Sequence, residues 1–187
     1  LNSADFDEKQ LEDKISSIAQ VDKSMLMQST DGIAENESEN QSVSMIVPKT
    51  PENMGDYIDL VSAENGSNLE VKSGSVIITQ KLAKLLDLKT GETITIKLSG
   101  HEEKEFKIGG VSKNYALHYI YITPDDFESV YGEKPVYNLS FIDLKKDTDE
   151  NSFKEQLISN DEFYGISFKN DSSRGFLNSV DSLDAIV

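Results

Sequence analysis

Between Val76 and Val111 the apolar residues keep changing period, with a capping or turn residue at each change. Val76, Ile77 and Ile78 form a short continuous run, and Leu82, Ala83, Leu85 and Leu86 then recur at helical spacing. Ile94, Ile96 and Leu98 alternate with polar residues, as do Phe106 and Ile108. A short apolar run suits a buried strand, and alternation marks a strand with one face on a core. The punctuation agrees. Thr79 can cap the helix, Gly91 can take the positive φ of a tight turn, and Gly100 marks a hairpin-like turn. Gly109-Gly110 predicts a bulge or a close approach of backbone. The block is therefore expected to fold as short strands, one short helix and tight turns.

The flanks mix helices and strands. Asp5 and Glu8 stand at capping-box spacing ahead of Leu11, Ile15 and Ile18, which predicts a first helix. Over 21–28 the period changes, with Met25 and Met27 on one strand face, and Val43, Met45 and Val47 alternate up to Pro48, so each stretch predicts a strand. Between them, TDGIAENESENQ at 30–41 is polar, acidic and without period, which predicts a mobile loop. A turn is expected at 51–56, a short strand at 57–61 and another turn at 65–68. A strand is expected at 119–122. Thr123-Pro124-Asp125-Asp126 reads as a helix start, with a capping hydroxyl, proline at the first helical position and acids in the first turn; that helix ends by Gly132. Tyr137, Leu139 and Phe141 share one strand face, Ser152 with Glu155 opens a helix through Ile158, and 163–168 is a last strand. Phe176, Val180, Leu183 and Val187 follow helical spacing to the final residue with no stop signal, so the natural chain is expected to continue. The expected class is α+β in two lobes: a discontinuous α+β lobe from 1–70 and 136–187, and a small β-rich lobe, 71–135, inserted in it.

Charge narrows the partners. The 187 residues carry 34 acids against 18 bases, a formal charge of −16. Such a surface repels phosphate backbones and lacks the clustered cations that hold a protein on anionic lipid, so no nucleic-acid partner is expected. No apolar run approaches the roughly 20 residues that cross a bilayer. The chain opens on Leu1 without a basic-then-apolar leader, which predicts a mature or excised piece.

Material for catalysis is thin. There is no cysteine, hence no disulfide, thiolate ligand or thiol nucleophile. His101 lies in a hairpin-tip sequence, Ser-Gly-His-Glu-Glu-Lys, where a solvated ring is expected; His118, between Leu117 and Tyr119, reads as structural. With no second histidine at helical spacing and no thiol, a transition-metal site is not expected. Asp143, Asp147 and Asp149 are spaced somewhat like a calcium loop but lack its glycine and its closing glutamate, leaving at most a weak extracellular calcium site. Asp125-Asp126 and Glu102-Glu103 read as helix-start and turn acids. No Gly-x-Ser-x-Gly elbow, phosphate loop or dinucleotide fingerprint is present. No catalytic residue, cofactor or metal is assigned.

The middle block does carry a resemblance. VIITQKLAKLLDLKTGETITIKL, then EFKIGGVSKNY and YIYITPDDFESVYG, resemble the extracytoplasmic domain of FtsX-like, MacB-type ABC permeases. The residues that carry it are Leu82, Ala83, Leu86, Leu88, Gly91, Glu92 and Ile94, followed by Gly110-Val111, Tyr119-Ile120-Tyr121 and Tyr131-Gly132. They cover about a third of the chain and are scaffold positions, so the resemblance speaks for fold more than for substrate. It implies a non-catalytic domain outside the cell membrane, with a porter-like outer lobe and a sabre-like insert. The terminal helix then either packs on the core or runs on into a membrane helix. The implied partners are a cytoplasmic ABC ATPase, a second permease subunit, and an extracellular peptide, lipoprotein, adaptor or cell-wall hydrolase. The alternative is a free-standing extracellular peptide- or solute-binding domain, which a lipobox cysteine would mark; none is present.

Overall fold

The structure, a computed structural model, describes residues 8–36, 39–113, 118–158 and 166. In chain order the elements are α1 (Glu8–Ser17), β1 (Val21–Glu35), β2 (Asn40–Pro48), a 3-10 helix (Pro51–Asp56), β3 (Val76–Thr79), α2 (Gln80–Leu85), β4 (Thr93–Leu98), β5 (Lys104–Ser112), β6 (Tyr119–Tyr121), α3 (Pro124–Tyr131), β7 (Leu139–Leu144) and α4 (Glu150–Ile158). The expected strand at 163–168, apart from residue 166, the terminal helix and the Asp5 capping position lie outside the described residues.

The strands form one sheet in the order β2-β6-β3-β5-β4-β1-β7, and β1 pairs with β2 as well. That extra pairing closes six strands into a ring. Closure removes the open edges that invite association, and it leaves an interior that side chains must fill. The period-two residues do so: Val43, Met45 and Val47 of β2, Ile94, Ile96 and Leu98 of β4, Phe106 and Ile108 of β5 and Ile120 of β6 form one buried cluster. The alternate residues face outward. Met25, Met27, Ile46, Ile77 and Tyr121 pack against Met54, Leu60 and Val71 from the chain between β2 and β3.

Helices close both ends of the barrel. β3 runs into α2 and β6 runs into α3, and β3 and β6 are antiparallel, so the two helices sit at opposite ends. Leu82, Ala83 and Leu86 enter the core at one end, and Phe127 with Val130 and Tyr131 at the other.

Three expectations change. The mobile loop expected at 30–41 is replaced by strand over most of its length: β1 continues to Glu35 and β2 begins at Asn40, with Asp31 to Glu35 in register against Ser44 to Asn40. Asp31 and Glu39 are exposed while Ala34 is fully buried, and backbone pairing across the closed ring holds a segment that hydrophobic period alone leaves unmarked. Residues 57–61 form no strand; Val61 makes one isolated bridge to Asn68. The helix expected to open on Ser152 begins at Glu150 instead, because Asp149 supplies the cap.

The described chain divides into two compact units, so the fold is α+β with a β-rich unit inserted in sequence. Ser24–Phe141 holds the barrel. It extends beyond 71–135 on both sides, since β1 and β2 supply staves without which the ring stays open. The other unit draws its described residues from 8–23 and 142–158. Its buried residues include Leu11 and Ile15 of α1 and Phe153 and Leu157 of α4. The Lys145 N–H donates to the Gln20 carbonyl at 2.8 Å and its ammonium to the Ala19 carbonyl at 2.7 Å.

Candidate functional site: the barrel and its two ends

The residues that carry the resemblance fall into five groups within the barrel unit. Leu82, Ala83 and Leu86 plug one end of the barrel, with Leu88 half-buried beside them. Gly91 and Glu92 build the adjoining turn: Gly91 takes φ +94°, and the Glu92 carboxylate accepts the Lys89 N–H at 2.7 Å. Gly91 N–H donates to the Ile108 carbonyl and Ile108 N–H to the Glu92 carbonyl, each at 2.8 Å, which ties the turn to β5. Gly110 and Val111 lie where the β3–β5 register shifts, and a Cβ on Gly110 would meet Leu69 side-chain carbons at 3.0 Å. Neighbouring Gly109 is packed more tightly still, where an added Cβ would meet Ser75 Cβ at 2.8 Å.

Tyr119 and Tyr121 stand on the outer wall. Burial pushes both phenols well above the usual tyrosine range, and the Asp31 charge adds to it at Tyr119. Tyr131 and Gly132 finish α3 at the opposite end from α2. Tyr131 packs on Phe127 with ring centroids 4.9 Å apart, and burial raises its phenol to about 12. Gly132 caps the helix in the left-handed region at φ +75°. The cap at the helix start is also in place, since the Thr123 hydroxyl accepts the Asp126 N–H at 3.2 Å. At α2, Thr79 occupies the N-cap position without a side-chain capping bond.

Most of the residues with chemical potential have structural partners. His101 is not simply solvated: Nδ1 lies 3.0 Å from the Ser99 carbonyl oxygen and Nε2 lies 3.0 Å from Glu133 Oε1. His118 Nδ1 donates to the Ser42 carbonyl at 3.0 Å. Asp143 pairs with Lys23 at 3.5 Å, Asp147 sits in a turn at φ +65°, and Asp149 caps α4. The hydroxyl and backbone N–H of Ser152 donate to the Asp149 carboxylate and hold it below the usual aspartate range. Asp126 accepts the Gly74 N–H at 2.8 Å. Among the described residues no group of three or more His, Asp or Glu side chains is placed to hold a metal ion.

Sequence reasoning missed several side-chain amides that hold the barrel together. Asn36 donates from Nδ2 to the Leu86 carbonyl at 2.6 Å, fastening the β1–β2 hairpin to the end of α2, and its Oδ1 accepts the Glu39 N–H at 2.8 Å. Asn138 imitates a peptide: Oδ1 accepts the Ser29 N–H at 2.7 Å while Nδ2 donates to the Ser29 carbonyl at 2.8 Å. Gln28 is buried, accepts the Val136 N–H at 2.7 Å and donates to the Thr30 hydroxyl at 2.6 Å. Only asparagine at a hairpin tip carries a sequence signal, as a turn former; the other two depend on which strands meet.

No protein-family model matches the sequence, and no curated protein matches it. Solved structures do. The extracellular domain of the noncanonic ABC-type transporter YknZ from Gram-positive bacteria superposes with a TM-score of 0.55 at 16% identity, covering 87% of this chain and 88% of that one. The periplasmic region of MacB from Actinobacillus actinomycetemcomitans gives a TM-score of 0.53 at 13% identity, covering 92% of this chain and 82% of that one. This chain has the MacB-type extracytoplasmic fold. The MacB-type likeness spans most of the chain rather than the middle block alone, and at 16% and 13% identity it is a likeness of fold. Among the described residues no helix is long and apolar enough to cross a membrane.

Proposed function

We propose that this chain is the extracytoplasmic domain of an FtsX-like, MacB-type ABC permease, and that it acts by contact and movement rather than by catalysis. The observation that carries this reading is the fold likeness to two such transporter domains over 87% and 92% of the chain. A second point supports it. The residues shared with the family pattern are spent on plugging, turning and tightening the barrel, which suits a body that must pass on displacement without deforming. On this reading the inserted barrel takes the place of the sabre-like lobe, and the chain on either side of it takes the place of the porter-like lobe. ATP hydrolysis belongs to a separate cytoplasmic subunit. The domain engages a peptide, lipoprotein, adaptor or cell-wall hydrolase outside the membrane.

The test uses the full-length gene product in its native membrane. A protease site placed at the β1–β2 hairpin tip should be cut when protease is added to intact cells, and purification in mild detergent should bring down an ABC ATPase. A tip protected in intact cells and cut only after lysis would place the domain inside and sink the proposal. Turnover of peptidoglycan or peptide by the purified chain would remove its non-catalytic part.

A further inference from the structure

The turn between β4 and β5 and the end of α3 meet at His101. Both ring nitrogens face oxygen acceptors at 3.0 Å, the Ser99 carbonyl on one side and the Glu133 carboxylate on the other. An imidazole with one hydrogen can satisfy only one of them; both are satisfied only when each nitrogen carries a hydrogen, in the imidazolium form. The ring stands edge-on to Tyr131, the last residue of α3, with centroids 4.9 Å apart and planes at 70°. It is largely enclosed, its side chain 24% exposed. A helix C-terminus favours a nearby cation, and α3 has no basic residue in its last turn.

From this geometry we propose that His101 is a proton-operated clasp, closed as the imidazolium and slackened when the ring loses its proton. Closed, it bonds the β4–β5 turn to Glu133 and places at the foot of α3 the positive charge the helix lacks. Its own turn also carries Glu102, Glu103 and Lys104, with Glu103 paired to Lys97 at 3.6 Å, and Lys134 follows Glu133 in the chain. Glu133 is the carboxylate at hydrogen-bond distance. Carboxylates are ionised above about pH 5, and imidazoles lose their proton between about pH 6 and 7.5. The clasp needs both hydrogens on the ring and an ionised carboxylate, and it slackens when either condition is lost. This holds for the barrel whatever the protein's partner.

The experiment is a double-mutant cycle on the whole chain with His101→Gln, Glu133→Gln and both, followed by urea unfolding at about pH 5.5 and about pH 8.5. Hydrogen exchange of the Gly132 amide provides a local readout. The coupling is expected to raise the folding equilibrium constant about two- to five-fold at the lower pH and to vanish at the higher one. Gly132 protection should depend on His101 only at the lower pH. Coupling of equal size at both pH values would mean a neutral contact, and absence of coupling at the lower pH would mean no clasp; either result overturns the proposal.

Discussion

A methyl group placed on Gly32 lies 2.6 Å from the Lys97 carbonyl oxygen and 2.9 Å from Leu98 Cδ2. Gly32 is paired to Val43 on one side and to Leu98 on the other, where β1 and β4 close the ring. Backbone cannot retreat there without opening the seam. Gly32→Ala should cost about 1–3 kcal/mol in urea unfolding, whereas Gly55→Ala, where an added Cβ meets nothing within 4 Å, should be near neutral. Equal effects would mean that the seam is not tight. Asp149 offers a pH test at the same scale. Its carboxyl is held below the usual range by the Ser152 bonds, so the folded state favours the ionised form. The capping contribution is full above the ordinary carboxylate range and is lost as the pH falls through the lowered folded value. The loss of amide protection in α4 on Asp149→Ala should thus be largest near neutrality and should shrink in acid; a pH-independent difference would rule out an ionised cap. Residue-scale reading served best where local chemistry decides, as at Thr123 and Gly132. It failed at His101, because the Glu133 partner is 32 positions away.

At the scale of elements, α2 and α3 are short helices that act as stoppers. Phe127 is fully buried and belongs to the barrel cluster, while Leu85, one turn away from the plugging face of α2, is 40% exposed. Phe127→Ala is expected to cost about 3–5 kcal/mol, and Leu85→Ala to stay within about 0.5 kcal/mol. Thermal or urea unfolding checks both, and similar losses at the two sites would contradict the stopper assignment. Most elements could be read from period and caps. The β1–β2 hairpin could not, because among its described residues over 30–41 Asp31 and Glu39 are exposed and Ala34 alone is buried. Its strand conformation comes from β4 and β2 lining up on either side.

For the whole molecule, ring closure decides which pieces can stand alone. A fragment covering 24–141 retains every stave of the closed ring and both stoppers. A fragment covering 71–135 lacks β1 and β2 and exposes the edges of β4 and β6. The first should unfold cooperatively by circular dichroism and give a dispersed amide spectrum; the second should do neither. A cooperative transition in the shorter fragment would show that β1 and β2 are dispensable.

By itself the sequence determined the mixed class, most of the strands, both caps of α3, the turn and close-packed glycines Gly91, Gly109 and Gly110, and a family-like middle block. These depend on spacing, φ preference and hydrogen bonds spanning only a few residues. The tertiary structure alone decided that six strands close into a ring, that the inserted unit begins near Ser24, and that His101, Asn36 and Asn138 have distant partners. Strand pairing is non-local: an alternating strand presents the same pattern whichever neighbour it bonds, and only the folded ring says which one that is.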